Sequence, residues 1–241
     1  MTSKTAVIIG VGPERGLGAR LCKRFAADHH VFVAGRTYAK VALVVDAIRQ
    51  SGGAATAIEA DTTDESQVRE LFKQAQAEGP VDLAIFNAGN NMPGDFLTME
   101  AEFFERCWRI ACFGGFLFSR EALRSMVPTG AGTLLFTGAS ASLRGKPDFA
   151  AFTAAKAGVR ALAQSLAREF GPKGIHVAHV VIDGAIDGDR IQIGRPAIAE
   201  ARGHDGLVDL EGIVDLYEML HRQPSRAWTH ELDVRPAKEA F

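Results

Sequence analysis

The stretch Thr5-Ala6-Val7-Ile8-Ile9-Gly10-Val11-Gly12-Pro13-Glu14-Arg15-Gly16-Leu17-Gly18 decides how the chain is read. Its first residues form a β-branched, apolar run of strand length, and helical sequence begins after the last glycine. Glycines stand at 10, 12, 16 and 18, where a Cβ would obstruct a tight turn and the close approach of backbone to a ligand. A glycine-rich turn between a strand and a helix offers backbone amides at the positive end of the helix, which suits a pyrophosphate. Turns also collect glycine for structural reasons, so the strand and helix on either side carry the reading. Gly12, Gly16 and Gly18, with Arg15 and Leu17 between them, therefore form a candidate nucleotide-binding loop.

Outward from this loop, short β-branched runs alternate with longer segments of helical period. Strands are expected near Thr5 to Gly10, Val31 to Ala34, Ala55 to Glu59, Val81 to Phe86, Thr133 to Thr137, Ile175 to Val181 and Thr229 to Val234. Helices are expected near Gly16 to Asp28, Tyr38 to Ser51, Asp64 to Glu78, Met99 to Val127, Phe149 to Phe170 and Gly212 to Arg222. This order predicts an α/β fold: a doubly wound, Rossmann-type parallel sheet of about seven strands with helices on both faces. No shift of composition interrupts it, so one domain over residues 1–241 is expected. The segment from Asp187 to Leu210 has no clear period and is a candidate substrate loop.

The 27 basic and 29 acidic residues nearly cancel and no run of five or more like charges occurs, so nucleic acid is not an expected partner. The longest apolar runs are strand-sized, short of the ~20 residues a membrane span needs. The N-terminus enters a strand without a signal-peptide pattern, and a cytoplasmic location is expected. Cys22, Cys107 and Cys112 have neither metal-ligand nor redox-pair spacing and read as buried free thiols. His176 and His179, three apart on a strand, face opposite sides and read as structural, and no metal site is expected.

The spacing of Gly12, Gly16 and Gly18 with Arg15 between them resembles the nucleotide loop of the short-chain dehydrogenase/reductase family, and later segments follow that family's order along nearly the whole chain. Asp61 and Thr62 match the pair that the resemblance places at the adenine ring, and Asn87, Ala88 and Gly89 match its Asn-Ala-Gly. Taken alone, Asp61 also reads as a helix cap and Asn87 to Gly89 as a turn. At the end of the second strand an NAD site usually offers an acidic side chain to the ribose. Here stand Gly35, Arg36 and Thr37. A guanidinium suits a phosphate, and the resemblance brings Arg15 to the same place, so NADP(H) is the expected cofactor.

In the resembled family a tyrosine protonates the carbonyl oxygen while hydride arrives from the nicotinamide, and a lysine four residues later tunes the tyrosine and holds the ribose. Residues four apart share a helical face. This chain has Phe152 and Lys156 at those positions. Phenylalanine has no proton to give. The serine position is Ala139, with Gly145 and Pro147 in register and Ser140 one residue away. The asparagine position is Ala111, and Asp183-Gly184 stands where the family has Pro-Gly. Lys156 is thus the one catalytic candidate that the resemblance leaves, alongside a cofactor-binding role.

Ser140, Ser142, Thr153, Tyr38, Tyr217 and Asp183 are other proton donors without the required spacing. Losing positioned acid-base catalysis costs typically ~10²–10⁴ in rate, while proximity of the reactants remains. Two functions are compatible with this. One is an NADP(H)-dependent oxidoreductase acting on a carbonyl, alcohol or activated double bond through an atypical site. The other is a catalytically silent NADP(H)-binding sensor or partner subunit. The resemblance also implies a homodimer or homotetramer, through the helices near Met99 to Val127 and Phe149 to Phe170.

Overall fold

Every residue of β1 (Thr5–Ile9) is buried, and successive side chains enter opposite cores. Ala6 and Ile8 join one, Val7 and Ile9 the other. A strand covered on both faces needs a continuous apolar run, which is what the sequence has there. The computed structural model describes residues 4–239, so the outermost residues of the single-domain reading over 1–241 lie outside the described residues.

Seven strands form one sheet: β1, β2 (His30–Gly35), β3 (Ala54–Glu59), β4 (Val81–Phe86), β5 (Gly132–Thr137), β6 (Ile175–Ile182) and β7 (Glu231–Val234). All neighbours are parallel, in the order β3-β2-β1-β4-β5-β6-β7. The order reverses between β1 and β4, and ligands of such sheets bind at the carboxyl ends of the strands beside that reversal.

The helices are α1 (Leu17–Phe25), α2 (Tyr38–Gln50), α3 (Glu65–Glu78), α4 (Ala101–Trp108), α5 (Gly114–Met126), α6 (Ala150–Phe170), α7 (Asp189–Gln192), α8 (Pro196–Arg202) and α9 (Leu210–Arg222). Helices α1, α2 and α9 bury their apolar stripes on one face of the sheet. Helices α3, α5 and α6 bury theirs on the other. Among the described residues no helix is long and apolar enough to cross a membrane.

Two expectations need correction. The helix read from Met99 to Val127 is one rod with a π-helical turn at Arg109–Phe113 between α4 and α5. There the Thr62 hydroxyl donates to the Ile110 carbonyl at 3.2 Å. Gly114 follows, where a Cβ would come within 2.8 Å of Thr62. The segment from Asp187 to Leu210 is not irregular throughout but contains α7 and α8. Its start is tied by parallel bridging of Ile186 to Val208.

Candidate active site

The turn after β1 is shaped by Gly10, whose φ of +88° favours glycine and whose Cβ would lie 2.6 Å from the Ala88 nitrogen. Gly12 differs: a Cβ there would meet nothing within 4 Å, because that side of the loop opens onto a cavity of about 400 Å³. The first turn of α1 carries no acidic residue, and its N-cap Gly16 makes no side-chain hydrogen bond, leaving the terminal amides uncapped by side chains. Gly12, Arg15, Gly16, Leu17 and Gly18 all line the cavity.

At one end of this cleft Gly35 packs so tightly that a Cβ would sit 2.4 Å from the Val11 carbonyl oxygen, and Arg36 beside it lines the cavity with Arg15. Both arginines are exposed. Thr62 lines the cavity too, but Asp61 does not. The Asp61 carboxylate accepts from the Thr63 amide and hydroxyl, both at 2.8 Å, while the N-cap of α3 is Asp64. Glu59, at the end of β3, accepts from the Tyr38 amide at 3.2 Å. A carboxylate from the neighbouring strand thus stands two residues from Arg36, although the strand-end turn itself contains none.

The inner end is a hydrogen-bonded knot. The Asn87 side chain donates to the Gly10 carbonyl at 3.1 Å and accepts from the Thr137 hydroxyl at 2.9 Å. The Thr137 hydroxyl also meets the Tyr217 phenol at 2.7 Å. The Lys156 ammonium donates to the carbonyls of Thr137 (2.7 Å) and Ala88 (3.3 Å), and a Cβ on Gly89 would come within 3.0 Å of it. Lys156 is only 4% exposed. Burial, with the nearby positive charge of Arg190, lowers its pKa to about 8.

Phe152, one turn before Lys156 on α6, lines the cavity, as do Ala139, Asn87, Ala88 and Gly89. Ala111 does not: it sits in the π turn, fully buried in the core.

The remaining donors are scattered. Ser142 is buried, its hydroxyl accepting from the Ala139 amide at 3.2 Å and meeting His179 Nε2 at 3.3 Å. His179 Nδ1 lies 2.9 Å from Glu231, which Arg160 grips through two nitrogens. Burial pulls the His179 pKa down to about 4 despite the Glu231 carboxylate. Tyr38 is exposed on α2, and Tyr217 is fully buried, its phenol pushed up by burial. Asp183 is buried and accepts from Arg144 at 3.0 and 2.8 Å. Ser140 and Thr153 line a second cavity of about 440 Å³ that shares Phe152, Asn91 and Arg195 with the first.

His176 stacks on Trp228 and meets the Thr229 carbonyl at 2.9 Å, apart from the contacts of His179. Cys22 and Cys107 are buried and Cys112 half-buried, all as free thiols. Toward the amino ends of the strands, His29 and His221 approach Asp82 at 3.1 and 3.4 Å, and Lys4 donates to both oxygens of that carboxylate. Arg190 and Arg195 line the main cavity and were not singled out from sequence. Glu59 was read only as a strand residue. No local pattern marks any of the three, because the fold brings them in from other segments.

This cleft lies at the carboxyl ends of the parallel sheet in a Rossmann-type α/β fold of the dehydrogenase class. The chain belongs to the short chain dehydrogenase family, whose model matches residues 4–191. It is 32% identical over 188 residues to the cyclic-di-GMP-binding biofilm dispersal mediator protein of Escherichia coli (strain K12), covering 78% of this chain and 75% of that protein. Its fold matches a short-chain dehydrogenase from Rhodopseudomonas palustris with TM-score 0.82 and 38% identity, over 97% of this chain and 98% of that one. A 7α-hydroxysteroid dehydrogenase in complex with NADH and 7-oxo glycochenodeoxycholic acid matches with TM-score 0.87 and 27% identity, over 97% and 93% of the two chains. The family is one of oxidoreductases, on a fold that binds nicotinamide cofactors.

Proposed function

We propose that this protein is an NADP(H)-dependent oxidoreductase acting on a carbonyl, alcohol or activated double bond, with an atypical set of proton-transferring groups. The observation that carries this reading is that the α1 amides, Arg15, Arg36 and Lys156 face one continuous cleft. The residues present fit a dinucleotide: the open side of Gly12 leaves room for a pyrophosphate at the helix end. Arg15 and Arg36 would hold the additional phosphate of NADP(H), and Thr62, beside Asp61, would border the adenine. Asn87, Ala88, Gly89 and Lys156 would frame the nicotinamide ribose. When bound, the cofactor supplies or accepts the hydride.

Phe152 and Ala139 present hydrocarbon where the resemblance predicts hydroxyls, and Ala111 is enclosed by the core. Proton delivery then falls to water, to the substrate or to the Lys156 ammonium, whose lowered pKa keeps its proton exchangeable near neutral pH.

The assembly proposed is a homodimer or homotetramer. Phe104, Trp108 and Phe116 leave large apolar surface exposed along α4 and α5, and Ala154 and Ala157 are exposed on α6. Ala151 and Ala155 instead face the protein's own core.

The test is calorimetric titration with NADPH and NADH, followed by assays of NADPH oxidation against ketones, aldehydes and enones. Tight NADPH binding with slow turnover is expected. Tight binding with no turnover of any compound would favour the silent cofactor-binding protein.

A further inference from the structure

Beyond Phe152 the cleft continues into the second cavity, and the cations at the junction lack counter-ions. Arg190 on α7 lines the first cavity, and Arg195, just before α8, lines both. Their Nη2 atoms donate to the same carbonyl, that of Asn91, at 3.3 and 2.8 Å. Neither guanidinium has a carboxylate partner among the described residues. The other arginines of the second cavity are neutralised, Arg144 by Asp183 and Arg202 by Glu239. One carbonyl dipole cannot balance two converging cations, and Lys156 lies close enough to feel the charge of Arg190.

A second observation concerns polarity. The buried Oδ1 of Asn91 and Oγ1 of Thr153 have no hydrogen-bond partner, and both residues line the second cavity. Buried polar atoms are normally satisfied, and exceptions ask for an explanation.

We propose that this junction is an oxyanion receptor for the substrate. The second cavity takes a small carboxylate that also carries a carbonyl or hydroxyl group, its carboxylate held by Arg195 and Arg190 and its other polar group turned toward Asn91 and Thr153. Arginine forks suit this task because they meet a carboxylate bidentately. This inference rests on the oxidoreductase reading above, since it names the substrate class for that cleft. A phosphate of the dinucleotide offers the same oxyanion chemistry. The place of Arg195 on the wall of the second cavity, which neither Arg15 nor Arg36 lines, favours the substrate as the source.

The test is calorimetry on the NADPH-loaded protein with a panel of short-chain oxo and hydroxy carboxylates, each beside its methyl ester. At least one acid is expected to bind roughly tenfold or more tightly than its ester. Arg195→Met should erase that preference, Arg195→Lys should retain part of it, and NADPH affinity should stay within about twofold in both. Esters binding as well as acids throughout the panel would overturn the proposal. So would an Arg195→Met variant that loses NADPH affinity and keeps the acid preference, since the pair would then serve a cofactor phosphate. If the wild-type protein binds no NADPH, the cofactor reading has failed. The acid-to-ester comparison on the unliganded protein then decides the receptor separately, upheld by an acid preference that Arg195→Met removes and overturned without one.

Discussion

The Lys156 ammonium donates to the Thr137 carbonyl at 2.7 Å, so the end of β5 holds the α6 lysine against the inner wall of the cleft. Through its hydroxyl, Thr137 also binds Asn87, which is tied to the Gly10 carbonyl. The glycine loop and Lys156 are thereby parts of one rigid unit, and the lysine is positioned before any ligand arrives.

Cofactor affinity should consequently follow the charge of Lys156. The protonated form favours an anionic dinucleotide, and its pKa in the free protein is about 8. Affinity is thus fully present below that pH and falls as pH rises through it, by at most about tenfold per pH unit. Titrations from neutral to alkaline pH should show this step for the wild type, and Lys156→Met should lack it.

Selectivity between cofactors should depend on Arg36 and on Glu59. Arg36→Asp is expected to reverse a preference for NADPH over NADH, because it replaces a phosphate fork with a carboxylate that suits a ribose hydroxyl. Glu59→Gln should strengthen NADPH binding severalfold by removing a negative charge that sits at the Tyr38 amide. Dissociation constants for both cofactors in the three proteins measure this. Equal values for wild type would show that the arginines do not read the phosphate.

Restoring a phenol by Phe152→Tyr should do little alone, because Ala139 would still offer no hydroxyl. Adding Ala139→Ser should raise the rate of carbonyl reduction further, since both positions line the cavity. Ala111→Asn is different: the site is fully buried among apolar side chains. An unsatisfied amide there should destabilise the fold by about 1–3 kcal/mol. Single-turnover rates and urea midpoints of the variants separate the two effects.

Acid stability should report on His179. Its folded pKa, about 4, lies below the ordinary value of roughly 6.5. The unfolded chain therefore binds more protons between these values. This contribution to stability is present above the unfolded pKa and lost as pH falls through the folded one, about 3 kcal/mol at most. Urea unfolding near pH 7 and pH 4.5 should show a smaller loss for His179→Gln than for wild type.

Much of this architecture is legible in the sequence for one reason: strands covered on both faces must be apolar throughout. Ala6 to Ile9 is buried at every position and stood out as a continuous run, while β6, read as Ile175 to Val181, is buried throughout yet accommodates His176 and His179 through their hydrogen bonds. The π turn at Arg109–Phe113 did not stand out, because one wider turn barely changes a helical period. Helices α7 and α8 were missed because segments of four and seven residues are too short to display a period. Within the site, the loop glycines, Arg36, Asn87 and Lys156 were readable from motif and register, and all line the cleft. Asp61 matched by register, yet its carboxylate is taken by Thr63. Arg190 and Arg195 reach the cleft, and Glu59 reaches the Tyr38 amide, through tertiary folding, which leaves no local signature.

We propose hydride chemistry with NADP(H) in this cleft without a tyrosine at position 152. The most direct measurement is transfer of deuterium from 4-deuterated NADPH to carbonyl compounds, followed by mass spectrometry over many turnovers. Both deuterated forms of the cofactor should be tested. The account predicts slow but enzyme-dependent deuterium incorporation from one of the two forms, reduced at least about tenfold by Lys156→Ala. Rapid transfer unaffected by Lys156→Ala would contradict it, as would no transfer from either form by protein that binds NADPH tightly.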